Sequence, residues 1–312
     1  MLRTYLSQFL LLFTLLLTNS ATWAETSFSQ VYIFGDSLSD TGNLAAFLGQ
    51  PLPPPYVNSR VSNGPVAVET LASKLGHTAE ASQYTIFVPE AGSNYAVASA
   101  KASGARLQDL SSQVLGFTFN HGYIAPSDAL YVIFIGGNDI RATRRLTDIN
   151  EAKMVVHEAA TSVFSAIQNL TQMGARSFLL INAPNVGLIP ETLIAAELNN
   201  DPGIIKRARK MSNLYRKTLH EMAESFEESN DIQISEFDLF KFFNKLVKKS
   251  EKYGFINSSD ACFSTVTLSF HPDCYLGLNA DQFVFFDEIH PTTKAHTLIG
   301  EALYKSLLKQ TK

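Results

Sequence analysis

The 312-residue chain carries 25 Lys and Arg against 29 Asp and Glu, for a formal net charge of −4, and has no long basic run. Mild acidity without a basic block argues against a nucleic-acid partner and against binding to anionic lipid by charge alone. The length suits one large domain with a substantial core, expected over residues 25–312, and no internal repeat, low-complexity linker or composition shift divides it.

In chain order, Arg3 is followed by the apolar run from Phe9 to Leu17 and by the small residues around Ser20-Ala21-Thr22-Trp23-Ala24. That pattern reads as a secretory signal peptide over residues 1–24, since the apolar core is too short to anchor stably in a bilayer. An uncleaved N-terminal anchor is the other reading. With cleavage after Ala24, the mature protein is expected outside the cytoplasm, in the periplasm or the medium.

Gln30 to Phe34 predicts a first, buried strand, and the polar Gly35-Asp36-Ser37-Leu38 after it predicts a turn into a helix. The proline-rich stretch from Gln50 to Ser62 excludes regular structure. Asn63-Gly64-Pro65 predicts a helix to about Leu75, with Asn63 as its cap. Asn94 to Val97 predicts a short strand, and Ala129 to Ile135 a strong one ending at Gly136-Gly137-Asn138-Asp139. A long helix from Asn150 to about Met173 follows from Val155, Ala159, Val163 and Ile167 at helical spacing. Ser177 to Ile181 predicts a strand, Pro202 to Glu228 an amphipathic helix, Ile232 to Phe237 a strand and Thr292 to Lys309 a final helix. Strands separated by long helices imply a parallel sheet covered on both faces. Gly254 to Phe283, which holds both cysteines, reads as an irregular loop beside the active site. In an exported protein a local pair such as Cys262 and Cys274 forms a disulfide. Zinc is the rival reading, with His271 and Asp273 close by, but paired C-x-x-C spacing is missing.

Four segments at strand or loop ends suit one reaction. A serine hydroxyl is a weak nucleophile unless a base takes its proton, and that base needs an orienting partner. Ser37 is the candidate nucleophile; a helix N-cap is its bland alternative. Asp287-x-x-His290 lets a carboxylate reach one imidazole nitrogen and leaves the other for Ser37, against the alternative of an isolated surface pair. Asn138, after two glycines, can donate its amide to a developing oxyanion, or simply belong to a strand-to-helix turn. The segment from Asn94 to Ala100 can bring a backbone N–H from a second loop, or be plain core. His296 is expected to be a surface or packing residue. His77, His121, His157 and His220 have no acid or nucleophile at a matching spacing. Phe283, Phe285 and Phe286 are read as core before pocket wall.

These blocks together resemble the GDSL, or SGNH, family of lipases and esterases. The resemblance rests on Phe34-Gly35-Asp36-Ser37-Leu38-Ser39-Asp40-Thr41-Gly42-Asn43, on Ser59-Arg60-Val61-Ser62-Asn63-Gly64-Pro65-Val66, on Gly136-Gly137-Asn138-Asp139 and on Asp287 to His290. It implies an α/β fold: a three-layer α/β/α sandwich with a mainly parallel, flavodoxin-like sheet. It also implies that Ser37, His290 and Asp287 act as nucleophile, base and orienter. The oxyanion hole would comprise the N–H groups of Ser37 and Ser99 and the side chain of Asn138. Ser99 stands where the family usually has glycine. The N–H donor survives that change, but a side chain is added beside the substrate.

The leader, first block and cysteine loop are similar to the secreted bacterial phospholipase and lysophospholipase A branch, whose relatives include acyltransferases. This implies a lipid or lysophospholipid substrate met at a membrane or micelle surface, with hydrolysis or acyl transfer to an alcohol such as a sterol. A carbohydrate acetyl esterase and a secreted binding module without catalysis are the alternatives. No metal or other cofactor is called for. Asp36, Asp40 and Asn43 are not spaced as in an EF-hand, and the two aspartates are read as holding the nucleophile turn.

Overall fold

The computed structural model describes residues 27–86 and 91–310. The leader-like segment 1–24 lies outside the described residues. The chain runs β1 (Val31–Gly35), α1 (Asn43–Leu48), α2 (Ala67–Lys74), α3 (Leu110–Asn120), β2 (Leu130–Phe134), α4 (Gly137–Thr143) and α5 (Ile149–Met173). It continues through β3 (Ser177–Ile181), α6 (Pro190–Leu198), α7 (Gly203–Ser229), β4 (Gln233–Phe237) and α8 (Leu239–Lys248). The last third holds β5 (Asn257–Ala261), β6 (Phe263–Ser264), β7 (Ser269–Phe270), β8 (Phe283–Phe285) and α9 (Thr293–Gln310).

The first four strands form one parallel sheet in the order β1-β2-β3-β4. VYIFG and LYVIF are continuous apolar runs because both faces of such a sheet are covered by helices. Every residue of both strands is buried, and each fully buried Phe or Leu contributes about 1.5–3 kcal/mol. On one side α5 packs against both α3 and α7; on the other α2 packs along α9, which also meets β4. The result is the expected three-layer α/β architecture with a mainly parallel sheet.

The register aligns Gly35, Phe134, Ile181 and Phe237 in one row. The carboxyl ends of all four strands therefore share an edge, where open α/β sheets place their ligands. Gly35 is required there: a Cβ would lie 2.6 Å from the carbonyl oxygen of Phe134 on the neighbouring strand.

Three expectations are corrected. Asn94–Val97 does not form a strand. Backbone bonds tie it to β1 (Tyr95 N to Ile33 O, 2.7 Å), but pairing is reduced to one bridge, Ile33 with Asn94. The Asn94 side chain instead donates to Ser39 O and Thr41 Oγ1 and accepts from Ala96 N, drawing the backbone out of the ladder. With that segment counted beside β1, the order is that of flavodoxin-like sheets. Asn63 does not cap α2. The Val66 N–H donates to the Glu69 carboxylate (2.7 Å), while Asn63 Oδ1 accepts from Thr293 N at the start of α9 (2.8 Å). Residues 254–283 are not wholly irregular. β5 pairs with β8, and β6 with β7 makes a short hairpin beside the Cys262–Cys274 disulfide. Period-two alternation is undetectable in strands of two or three residues, and five-residue β5 (NSSDA) carries no apolar alternation.

Candidate active site

The turn after β1 is held by buried side chains. Gln113 accepts from Gly35 N (2.8 Å) and donates to Gly35 O (2.7 Å), so one amide from α3 clamps the end of the strand. Asp36 accepts from Leu38 N, and the Ser39 and Asp40 N–H groups donate to Asp36 O. Asp40 accepts from Gly42, Asn43, Leu44 and Ala98 N–H groups at 2.8–3.0 Å. One carboxylate thus starts α1 and ties it to the loop carrying Ser99. Burial raises the Asp36 carboxyl to about 7, partly offset by the Leu38 N–H and the charge of His290, with nearby Asp139 pushing further upward.

Ser37 Oγ lies 2.8 Å from His290 Nε2. His290 Nδ1 lies 2.8 Å from each oxygen of Asp287. The Asp287 carboxylate also accepts from Ile289 N, His290 N and the Tyr56 hydroxyl. Burial alone would push Asp287 up, but the His290 charge, its hydrogen bond and the two backbone N–H groups hold the carboxyl below the usual range. Burial, then the charge of Asp287, keeps the Tyr56 hydroxyl protonated as a donor. The loop from Phe286 to Thr292 is anchored on several sides: Phe286 N to His290 O, Thr292 N to Val284 O, Ser62 Oγ to Pro291 O and Glu191 N to Glu288 O. In this line the imidazole can take the hydroxyl proton, and the carboxylate orients the ring and stabilises the imidazolium, without moving the backbone.

Asn138 opens α4 after Gly136, whose φ of 109° and contact with the Tyr215 ring exclude a side chain. Asn138 Nδ2 donates to Ala100 O (2.9 Å), which leaves its second N–H for a ligand. Ser99 adopts φ 69°, the left-handed region that favours glycine, and its exposed side chain faces the same depression as Ser37, Asn138 and His290. Among the described residues no acceptor takes the backbone N–H of Ser37 or Ser99. The structure therefore brings together all five polar residues that the sequence singled out.

Under Ser37 lies a narrow pocket of about 40 Å³, walled by Leu38, Phe134, Val186, Ile189, Leu239, Phe243 and Ile289. That is room for roughly three water molecules. His296 is buried there as a packing residue; its Nδ1 accepts from Ala67 N, and burial holds the ring neutral, down to about 3. Phe283, Phe285 and Phe286 are core, with Phe283 and Phe286 around the disulfide and Phe285 against Phe243. His220 pairs with Glu236 on the surface. Sequence reasoning missed Tyr56, which sits in a proline-rich loop with no periodic signal, and α8, which supplies Leu239 and Phe243. It also missed Arg141 and Arg144, which share Glu191 beside Asn138.

The chain belongs to the GDSL-like lipase/acylhydrolase family, whose model matches residues 31–303. It is a carboxylic ester hydrolase. Phosphatidylcholine-sterol acyltransferase of Aeromonas hydrophila is 25% identical, over 91% of this chain and 92% of that protein. Thermolabile hemolysin of Vibrio parahaemolyticus is 26% identical, over 93% and 66%. Lipase 1 of Photorhabdus luminescens is 24% identical over 92% of this chain, which spans about half (51%) of that protein. An acetylxylan esterase from Geobacillus stearothermophilus aligns with a TM-score of 0.45 and 14% identity, over 91% of this chain and 94% of that one.

Proposed function

We propose that this protein cleaves fatty-acyl esters of phospholipids and lysophospholipids through an acyl-enzyme on Ser37. The observation that carries the reading is the hydrogen-bonded line Ser37–His290–Asp287 facing an open depression of about 280 Å³ with Leu44, Leu52, Val61, Ala98 and Ile289 along its walls. His290 Nε2 takes the Ser37 proton as Oγ attacks the ester carbonyl. Asp287 steadies the imidazolium, and Tyr56 and two backbone N–H groups fix the carboxylate. The tetrahedral oxyanion is met by the N–H groups of Ser37 and Ser99 and by the free Asn138 amide hydrogen; one such donor is worth about 2.7–4 kcal/mol in the transition state. His290 then returns the proton to the leaving alcohol. Water enters, loses a proton to the same nitrogen and releases the fatty acid. A second alcohol in place of water, such as a sterol, makes the reaction an acyl transfer. An exported location, suggested by the leader-like start, belongs to the same proposal.

The narrowness of the pocket under Ser37 favours one second reading, an esterase for short acyl groups such as acetyl on carbohydrate. The test is release of fatty acid or acetate from phospholipids, lysophospholipids and acetylated sugars, with and without sterol, beside labelling by a fluorophosphonate. Labelling at Ser37 with fatty-acid release supports the lipid reading. Acetate release alone supports the second. Folded protein that resists labelling overturns both.

A further inference from the structure

Ser99, Asn138 and Arg141 border the depression that holds Ser37 and His290, and they also border a second one of opposite character. Five cationic side chains converge there: Lys101, Arg106, Arg141, Arg144 and Arg145. Glu191 serves both Arg141 and Arg144, and Asp109 pairs with Arg106. Among the described residues, Lys101 and Arg145 take part in no ion pair. Five cations pair directly with only two carboxylates, and the charges of Asp139 and Asp287 also reach Arg106 and Arg141, so the balance stays positive on a chain whose total is −4. Arg144 adds an independent sign. Its side chain is 4% exposed, yet its Nε is buried without a hydrogen-bond partner. Like charges gathered beside an unused donor are costly unless an anion completes them.

We propose that this groove holds the phosphate of the substrate head group while the acyl ester lies on Ser37. The inference rests on the proposed lipid reading and specifies its polar half. Phosphate suits the donors: guanidinium groups bind its oxygens in pairs, and an ammonium supplies a point charge. In a glycerophospholipid the phosphate stands only a few bonds from the scissile ester, which matches a cationic wall bordered by Asn138 and Ser99. Arg106 contributes from behind, since it donates to Ser99 O (2.8 Å) and fixes the loop between the two depressions.

The experiment compares wild type with the doubly substituted Lys101→Glu, Arg145→Glu protein. Both are assayed on a short-chain lysophosphatidylglycerol and on the monoacylglycerol of the same chain, below micelle formation. The readout is the ratio of the two kcat/KM values, expected to favour the phosphate substrate in wild type and to fall about tenfold in the variant, through KM. A second arm measures inhibition of p-nitrophenyl butyrate hydrolysis by glycerol 3-phosphate, inorganic phosphate and glycerol. Competitive inhibition by glycerol 3-phosphate that the variant loses supports the groove. Equal inhibition by inorganic phosphate reassigns the site to free phosphate and overturns the head-group assignment. An unchanged ratio, or no inhibition by either anion, overturns the proposal. Wild type that cleaves p-nitrophenyl butyrate but neither lipid sinks the lipid reading instead, and the inhibition arm still decides whether the groove binds phosphate.

Discussion

The nucleophile turn and the stapled hairpin both touch the site, but they are held by opposite means. From Gly35 to Asn43 the backbone is met by buried amides and carboxylates: Gln113, Asp36, Asp40 and Asn94. From Cys262 to Leu278 the order comes from one disulfide, the short β6–β7 ladder, two backbone bonds to Phe285 and Phe286, the ring pair Phe263–Phe270 and the Glu288 carboxylate, which accepts from Thr265 N and Oγ1. There Val266, Leu268, Tyr275, Leu276 and Leu278 lie exposed, and Leu268, Tyr275 and Leu276 have positive φ. A buried polar network tolerates one geometry, because each unmet donor costs about 1–3 kcal/mol. A cross-linked hairpin with little buried apolar surface can open without the sheet. The molecule thus pairs a turn that cannot relax with a flank that can.

The largest expected effect is chemical. Ser37→Ala should lower ester hydrolysis by at least ~10⁴-fold, with an unchanged thermal midpoint by calorimetry. Measurable turnover near the wild-type rate would remove the proposed nucleophile. Asp40→Ala sharpens the comparison on the rigid side: four N–H donors lose their acceptor, and denaturant unfolding should show a loss of about 4 kcal/mol. A loss below about 1 kcal/mol would mean that the turn is not over-determined.

Asp36 yields a pH test of the same turn. Its carboxyl is raised from 3.8 to about 7 by burial, so the fold favours the protonated form. That contribution is complete below the unfolded value and is lost as pH rises through about 7. Stability relative to Asp36→Asn should therefore decline between those limits, by on the order of 2–4 kcal/mol. A flat difference across the window would place the charge in a solvated site.

On the flexible side the effects are smaller and local. Replacing Cys262 and Cys274 by serine should speed amide exchange at His271 and at position 274 while leaving the β1–β4 amides protected, with a global cost under the roughly 3 kcal/mol that loop closure allows. Exchange rising equally in the sheet would join the two regions into one cooperative unit. Thr265→Val removes one hydroxyl bond to Glu288 and should cost about 1 kcal/mol, read as hairpin exchange rather than activity.

The local sequence determined the class of fold. Runs such as VYIFG, LYVIF and SFLLI can only be covered on both faces, and the long helices between them force parallel connections. It also determined which side chains were chemically competent, because a serine at a strand end and an Asp-x-x-His before a helix are short-range patterns. Tertiary structure alone decided what surrounds them. Tyr56 reaches Asp287 across 231 positions, Asn63 serves α9 rather than α2, and the wall of cations assembles from two separate loops and a helix. Periodicity reports which face of an element is buried, whereas a hydrogen bond between distant loops depends on how the finished layers bring their ends together.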